Sequence, residues 1–329
     1  MQNSERPIGV LILNHNGRQW LPPLFHSIRQ NGYGSVHIYL VDNCSTDGSV
    51  ESTLRDHPDV TVIRMPMNLG YCMAYNLAMP HAFARGCEWV IWANNDILLE
   101  PGCLLELAKA VQSDPAIGVA GPAFLCWDND EPNYYMKGKN PALIPAMKTR
   151  SSTPVDVDWV EGSFLMVSRD TVEKSGPLDP CFFAFWEEAE FCRRVRYSGK
   201  RVVLVPRAWA RHYGGGSFSG EPSRKLRNWL QTRNLHIYAL TDPNRSFSRN
   251  LLASAHLLAV GMKSALKHSP GSALLEMHAF SAVWMCLHGW HKKWVNGRRY
   301  IRPATLDREF EGMRPVILSS PFREPALAK

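Results

Sequence analysis

The chain has 329 residues, with 37 Lys and Arg against 30 Asp and Glu, for a formal net charge of +7. That length allows a large core, read as one big domain with an appendage. Eight cysteines without a C-x-x-C pair or metal-ligand spacing exclude a small zinc module and suit reduced thiols in the cytosol, and the polar stretch before Val10 does not read as a signal peptide.

In chain order, Val10-Leu11-Ile12-Leu13 runs into Asn14-His15-Asn16-Gly17, and Ile38-Tyr39-Leu40-Val41 into Asp42-Asn43-Cys44-Ser45-Thr46-Asp47-Gly48. Each is a hydrophobic strand followed by a polar, turn-forming tip. A third run, Val60 to Arg64, leads to Asn68-Leu69-Gly70-Tyr71 and a helical stretch containing Asn76. Strands alternating with helices argue for a parallel sheet covered on both faces. Amides and carboxylates on successive tips suit a nucleotide base and ribose. No G-x-G-x-x-G follows a strand, and Gly214-Gly215-Gly216-Ser217 lacks the lysine of a P-loop.

Trp89-Val90-Ile91-Trp92-Ala93-Asn94-Asn95-Asp96 reads as a buried strand ending abruptly in polar residues. In open α/β sheets ligands bind outside the carboxyl ends of strands, so Asn95 and Asp96 stand where a metal or sugar is expected. An Asx turn between strand and helix accounts equally for the pair. Pro101 then opens a helical pattern through Leu104, Leu105, Leu107, Ala108 and Val111.

The most informative stretch is Phe182-Phe183-Ala184-Phe185-Trp186-Glu187-Glu188-Ala189-Glu190. Three carboxylates follow an aromatic run, and burying unpaired carboxylates raises their pKa or costs several kcal/mol. Acids beside Phe and Trp suit a general base, and Glu residues at a helix N-terminus also complement the macrodipole.

Residues 245–329 hold 13 basic and 5 acidic residues, a net of +8, whereas the first 244 hold 24 and 25. Leu251, Ala255, Leu258, Met262 and Ala265 recur at helical spacing, and a second apolar stretch runs from Ala279 to Leu287. Neither stretch reaches the roughly 20 apolar residues of a membrane span. Lys292, Lys293, Arg298, Arg299 and Arg302 follow. Apolar helices beside Lys and Arg fit an anionic membrane surface, and packing on the main domain fits them as well. No nucleic-acid-binding motif is present, so nucleic acid is not an expected partner.

Taken together, the tips, Glu161-Gly162-Ser163-Phe164, Gly176-Pro177-Leu178-Asp179, the acidic cluster, His212 with Gly215 and Ser217, and Arg233-Asn234 stand in an order that resembles inverting glycosyltransferase family 2, in its rhamnosyltransferase-like branch. The resemblance covers roughly residues 7 to 240. It implies a GT-A fold, an α/β architecture with a Rossmann-like mixed sheet flanked by helices. Residues 1–244 would form that domain and residues 245–329 a basic helical extension. It implies a nucleotide-diphosphate sugar donor, dTDP-rhamnose by branch, and a glycan or lipid-linked acceptor of a bacterial surface polysaccharide. The expected location is cytoplasmic, peripheral on the inner face of the membrane.

The resemblance also implies roles. Asn14, Asn16, Asp42, Asn43, Asn68, Gly70, Asn94, Asn95 and Arg233 would bind the nucleotide sugar. Asp96 and His212 would hold Mg²⁺ or Mn²⁺, hard ions suited to carboxylate and phosphate oxygens. Glu188 would be the catalytic base of a single displacement, with Trp186, Glu187 and Glu190 contacting acceptor or sugar. Two departures stand out. The family's D-x-D is here Asn94-Asn95-Asp96, and its Glu-Asp-x-Asp is Glu187-Glu188-Ala189-Glu190. They leave open a non-catalytic nucleotide- or carbohydrate-binding relative, which retention of Asp96, Glu188 and His212 argues against.

Overall fold

A computed structural model describes residues 6–133, 143–214, 221–268, 280 and 315–318. Four strands, β1 (Ile8–Asn14), β2 (Val36–Asp42), β3 (Thr61–Arg64) and β4 (Trp89–Asn94), alternate with helices α1 (Leu21–Arg29), α2 (Ser49–Asp56) and α3 (Gly70–Ala84). These strands lie in the spatial order β3-β2-β1-β4 and are mutually parallel. Their near-continuous Val, Ile and Leu runs reflect burial on both faces. The registers align the tips, with Asn14 opposite Asp42, Asp42 opposite Arg64 and Leu13 opposite Asn94.

The rest of the sheet departs from the purely parallel pattern that the strand–helix alternation suggests. After β4 come β5 (Ile97–Leu99), α4 (Cys103–Ser113), β6 (Ile117–Leu125), α5 (Leu143–Lys148), β7 (Val155–Asp156), β8 (Phe164–Ser168), α6 (Arg169–Ser175), α7 (Glu187–Tyr197) and β9 (Arg201–His212). β8 is inserted antiparallel between β4 and β6, and β5 runs antiparallel along β9. The outcome is the mixed sheet, flanked by helices, that the family resemblance implies. One core, on the α3 and α7 side, is built around Tyr75, Trp92, Phe182 and Phe191. The other, on the α1 and α4 side, is built around Phe25, Leu104 and Phe164.

α8 (Glu221–Leu240) and α9 (Phe247–His268) follow and pack against each other. Their turn is tied by Asn250 Nδ2, which donates to Leu240 O at 3.1 Å and to Asp242 O at 2.9 Å. β10 (Val316–Leu318) pairs antiparallel with β3 at the sheet edge, so the C-terminal segment returns a strand to the sheet. Gly215 to Ser217, the apolar stretch from Ala279 to Leu287 apart from Phe280, and Lys292, Lys293, Arg298, Arg299 and Arg302 lie outside the described residues. Among the described residues, no helix is long and apolar enough to cross a membrane. Every described cysteine is free.

Candidate functional site

The strand tips converge into a polar network. Asn14 is fully buried, and its Nδ2 donates to Ser45 Oγ and Ser49 Oγ at 3.0 Å each, while its Oδ1 accepts from Asn95 Nδ2 at 2.8 Å. Asn43 donates through Nδ2 to Asn68 Oδ1 at 2.9 Å and to Gly70 O at 3.2 Å, and accepts from Leu69 N at 2.9 Å. Asp42, also fully buried, accepts from Ser45 N and faces the Arg64 guanidinium at 3.5 Å. These side chains, expected to meet the nucleotide directly, are largely committed to one another, because buried amides and carboxylates require partners. Asn16 and Asn68 are the exposed members of the set, and Asn94 is half-buried. Asn16 sits at φ 54° with its Oδ1 accepting from Thr46 N at 2.8 Å.

Sheet register brings the second group together. Ile97 pairs with His212, which sets His212 beside Asp96. Ala93 pairs with Phe164, and Asn94 N donates to Ser163 O at 2.8 Å, which sets the 161–163 turn against the same tip. His212 Nδ1 donates to Glu161 Oε1 at 2.7 Å, and its Nε2 lies 3.4 Å from Asp96 Oδ1. Burial lowers the pKa of His212, but the adjacent Asp96 and Glu161 carboxylates outweigh it and raise the ring to about 10.

Among the described residues, no group of three or more His, Cys, Asp or Glu is disposed to hold a metal. Two protein ligands fit a divalent ion nonetheless. His212 Nε2 is buried without a hydrogen-bond partner and faces the Asp96 carboxylate, while Glu161 fixes the ring through Nδ1. An ion there would have to displace the Nε2 proton and complete its shell with diphosphate oxygens. Glu161 stands in the sequence as part of a motif without a role; its position two residues before Ser163, which donates to it at 2.8 Å, is the only local signal.

Glu161 also leads to the acidic helix. A Cβ on neighbouring Gly162 would lie 3.2 Å from Glu188 Cβ and 3.3 Å from the Tyr71 hydroxyl, which donates to Gly162 O. The chain of ion pairs from Asp96 through His212 to Glu161 therefore ends one residue from Gly162, whose backbone lies close beside Glu188. The three acids occupy the first turn of α7, where the helix dipole favours negative charge. Their environments differ sharply. Glu187 is buried, and burial first, then the charge of Glu188, raises its carboxyl well above the usual range. Glu188 is half-buried. Glu190, expected at the sugar, is taken up in a buried ion pair with Arg194, its two oxygens 2.8 and 2.9 Å from Nε. Arg194 in turn binds the carbonyls of Ser175, Gly176 and Pro177. The Trp186 ring packs on Tyr238, centroids 5.4 Å apart.

Phe183, Phe185 and Trp186 have φ of 60°, 71° and 71°, sparsely populated conformations that cost on the order of 1–3 kcal/mol each for residues other than glycine. Arg233, expected at the nucleotide sugar, donates to Cys181 O at 2.6 Å and Phe182 O at 3.1 Å in this turn. Asn234 holds it further. The sequence marks neither contact, because both partners are backbone carbonyls about 50 residues away.

The family described as "Glycosyl transferase family 2" matches residues 9–175. Over 219 residues the chain is 28% identical to N-acetylglucosaminyl-diphospho-decaprenol L-rhamnosyltransferase of Mycobacterium tuberculosis, covering 58% of this chain and 71% of that protein. It is 26% identical over 176 residues to the dTDP-rhamnosyl transferase RfbF of Shigella flexneri, covering 52% and 58%. The fold is similar to that of the mannosyltransferase PcManGT from Pyrobaculum calidifontis, solved with GDP-Man and Mn²⁺, with a TM-score of 0.54 at 18% identity, covering 94% and 88%. It is similar also to S. aureus TarS 1-349 with UDP-GlcNAc, with a TM-score of 0.58 at 13% identity, covering 83% and 79%.

Proposed function

The chain belongs to glycosyl transferase family 2, in its rhamnosyltransferase-like branch, and from that premise we propose that it transfers a sugar, rhamnose from dTDP-rhamnose, to a hydroxyl of a lipid-linked or growing surface glycan with inversion at the anomeric carbon. The observation that carries this reading is the proximity of Asp96, His212 and Glu161 to Glu188, with Gly162 close beside the last. It brings a candidate cation pair and a candidate base to adjoining parts of one site.

In this reading the tips around Asn14, Asp42, Asn43, Asn68 and Gly70 cradle base and ribose, with exposed Asn16 and Asn68 making direct contact and the buried members holding the cradle's shape. Asp96 and His212 would hold Mg²⁺ or Mn²⁺, which would neutralise the departing diphosphate. Glu188 takes the proton from the acceptor hydroxyl as that oxygen attacks the anomeric carbon. The bond to the diphosphate oxygen breaks on the opposite face, and the nucleoside diphosphate leaves. Glu188 suits this role better than Glu187 because a base must reach solvent-borne substrate, and Glu187 is only 4% exposed.

Residues 1–244 form the transferase unit in this reading, completed at its sheet edge by β10, and α9 serves docking. On α9, Phe247, Leu251, Leu252 and Val260 are exposed beside Arg249 and Lys263, and no acid occurs between residues 247 and 268. That face fits an anionic membrane surface carrying a lipid-linked acceptor. The test is turnover of dTDP-rhamnose with Mn²⁺ and a polyprenyl-diphosphate-linked N-acetylglucosamine acceptor, followed by NMR of the product linkage. Inverted anomeric configuration and loss of turnover with EDTA are expected. Retained configuration, or no turnover of any nucleotide sugar, overturns the reading.

A further inference from the structure

Next to Glu188 lies a turn that no side-chain preference explains. Phe183, Phe185 and Trp186 have positive φ and none is glycine or asparagine; Phe183, at φ 60° and ψ −59°, centres a γ-turn closed by Ala184 N donating to Phe182 O at 2.7 Å. Such a conformation persists only where its surroundings over-determine it, and strain of this kind collects where geometry is used. Here every carbonyl from Cys181 to Phe185 is captured from outside the turn. Arg233 binds the carbonyls of Cys181 and Phe182. The first turn of α3 reaches Phe183 O through Tyr71 N at 2.6 Å and Cys72 N at 3.4 Å. Asn234 Nδ2 donates to Phe182 O at 2.7 Å, Ala184 O at 2.7 Å and Phe185 O at 2.8 Å.

Asn234 is central to this arrangement. It is fully buried, and its Oδ1 accepts from Arg233 Nε at 2.9 Å, so the amide is oriented with its nitrogen toward the three carbonyls. Trp186, the last left-handed residue, is the N-cap of α7, and its carbonyl already accepts from Glu190 N at 3.0 Å. The turn therefore sets the axis along which α7 starts and the direction in which Glu188, its second residue, points.

We propose that Asn234 is a positioning residue for the reaction, its amide locking the positive-φ turn that aims Glu188. This rests on Glu188 as the base. Asn234 touches neither donor nor acceptor; it acts through the backbone of residues 182–185. A carboxylate at this position would repel the same carbonyls, and a small apolar side chain would take this donor from the carbonyls of Ala184 and Phe185 while Phe182 O keeps Arg233.

The experiment compares Asn234→Ala, Glu188→Gln and the double variant in the full chain. The readouts are kcat with the acceptor, calorimetric affinity for dTDP with Mn²⁺, and Tm. A misaim on the order of 1 Å costs about 100-fold, so Asn234→Ala is expected to lower kcat about 10- to 100-fold with nucleotide affinity within about twofold. In the Glu188→Gln background the same change is expected to cost less than about twofold more, since there is no base left to aim. Phe185→Gly, which makes a left-handed position free of strain, is expected to restore part of kcat to Asn234→Ala. Should the alanine variant not accumulate, Asn234→Ser, which keeps one donor, carries the same comparison. Losses that multiply in full across the two backgrounds, or nucleotide affinity that falls in step with kcat, overturn the proposal in favour of a purely structural role. If Glu188→Gln retains turnover, the base assignment fails first. If Glu188→Gln is crippled and Asn234→Ala is not, the positioning role alone falls.

Discussion

The two halves of the sheet solve different problems. In the parallel half, β1 to β4 end in side chains that satisfy each other from tip to neighbouring tip: Asn14 with Ser45 and Ser49, Asn43 with Asn68, and Asp42 with Arg64. The result is a largely neutral hydrogen-bonded cradle. In the antiparallel half, His212, Glu161 and Glu188 are drawn from β9, the turn before β8, and α7, all half-buried, beside a turn of positive φ. A cradle needs only complementary shape. A reaction centre needs ionisable groups in environments that move their proton affinities apart.

If this division holds, substitutions in the two halves have separable signatures. The largest effect is expected from Glu188→Gln, which keeps shape but accepts no proton: kcat falls on the order of 10²–10⁴-fold while dTDP affinity is unchanged. Steady-state kinetics with parallel calorimetry check it. A crippled Glu187→Gln with an active Glu188→Gln would move the base by one residue.

Glu161→Gln comes next. It leaves the ring of His212 without its carboxylate partner, so Mn²⁺-dependent donor affinity should drop about 10- to 100-fold. Affinity measured in EDTA should not move, and a loss there would show that Glu161 shapes the cradle itself. Asp96→Asn should remove the Mn²⁺ dependence altogether.

Gly70→Ala probes the seam between the halves. Its Cβ would lie 2.5 Å from the Phe183 ring and 2.6 Å from the Phe183 carbonyl oxygen at φ +73°. Overpacking of this kind costs about 1–3 kcal/mol before strain is added. Gly102→Ala is the control, since its φ of +82° carries strain but nothing lies within 4 Å. Chemical denaturation should rank Gly70→Ala clearly the worse, and only Gly70→Ala should reduce kcat, through the turn that Phe183 begins.

The smallest effect is a pH dependence. The Glu187 carboxyl is raised by burial and by the charge of Glu188, so the folded state holds its proton where the unfolded chain has lost it. Stability from this residue is thus fully present below the ordinary carboxylate pKa and declines as pH rises through the folded value. Glu187→Gln has no proton to lose. Its Tm relative to wild type should therefore be higher at pH 7.5 than at pH 4.5, and a gap that shrinks with pH would contradict the buried, protonated state.

The strand tips were legible from sequence because a hydrophobic run broken by Asn, Asp and Gly is a local pattern, set by burial along a few residues. The four parallel strands, the helix after Pro101 and the helix-start position of the acidic cluster all follow from such patterns. Asx-type tips also made Asn14, Asp42 and Asn43 visible as a group, though not that they would bond one another and not stand free. What the sequence by itself determined is therefore which residues are available at the edge of the sheet. The tertiary structure alone decided the rest. It set His212 beside Asp96 through the β5–β9 register, inserted β8 antiparallel, returned Val316–Leu318 to the edge of β3, and bound Arg233 and Asn234 to the carbonyls before α7. The physical reason is the same in each case. Strand register and carbonyl capture depend on backbone groups that every residue shares, so no side-chain pattern along the chain records them.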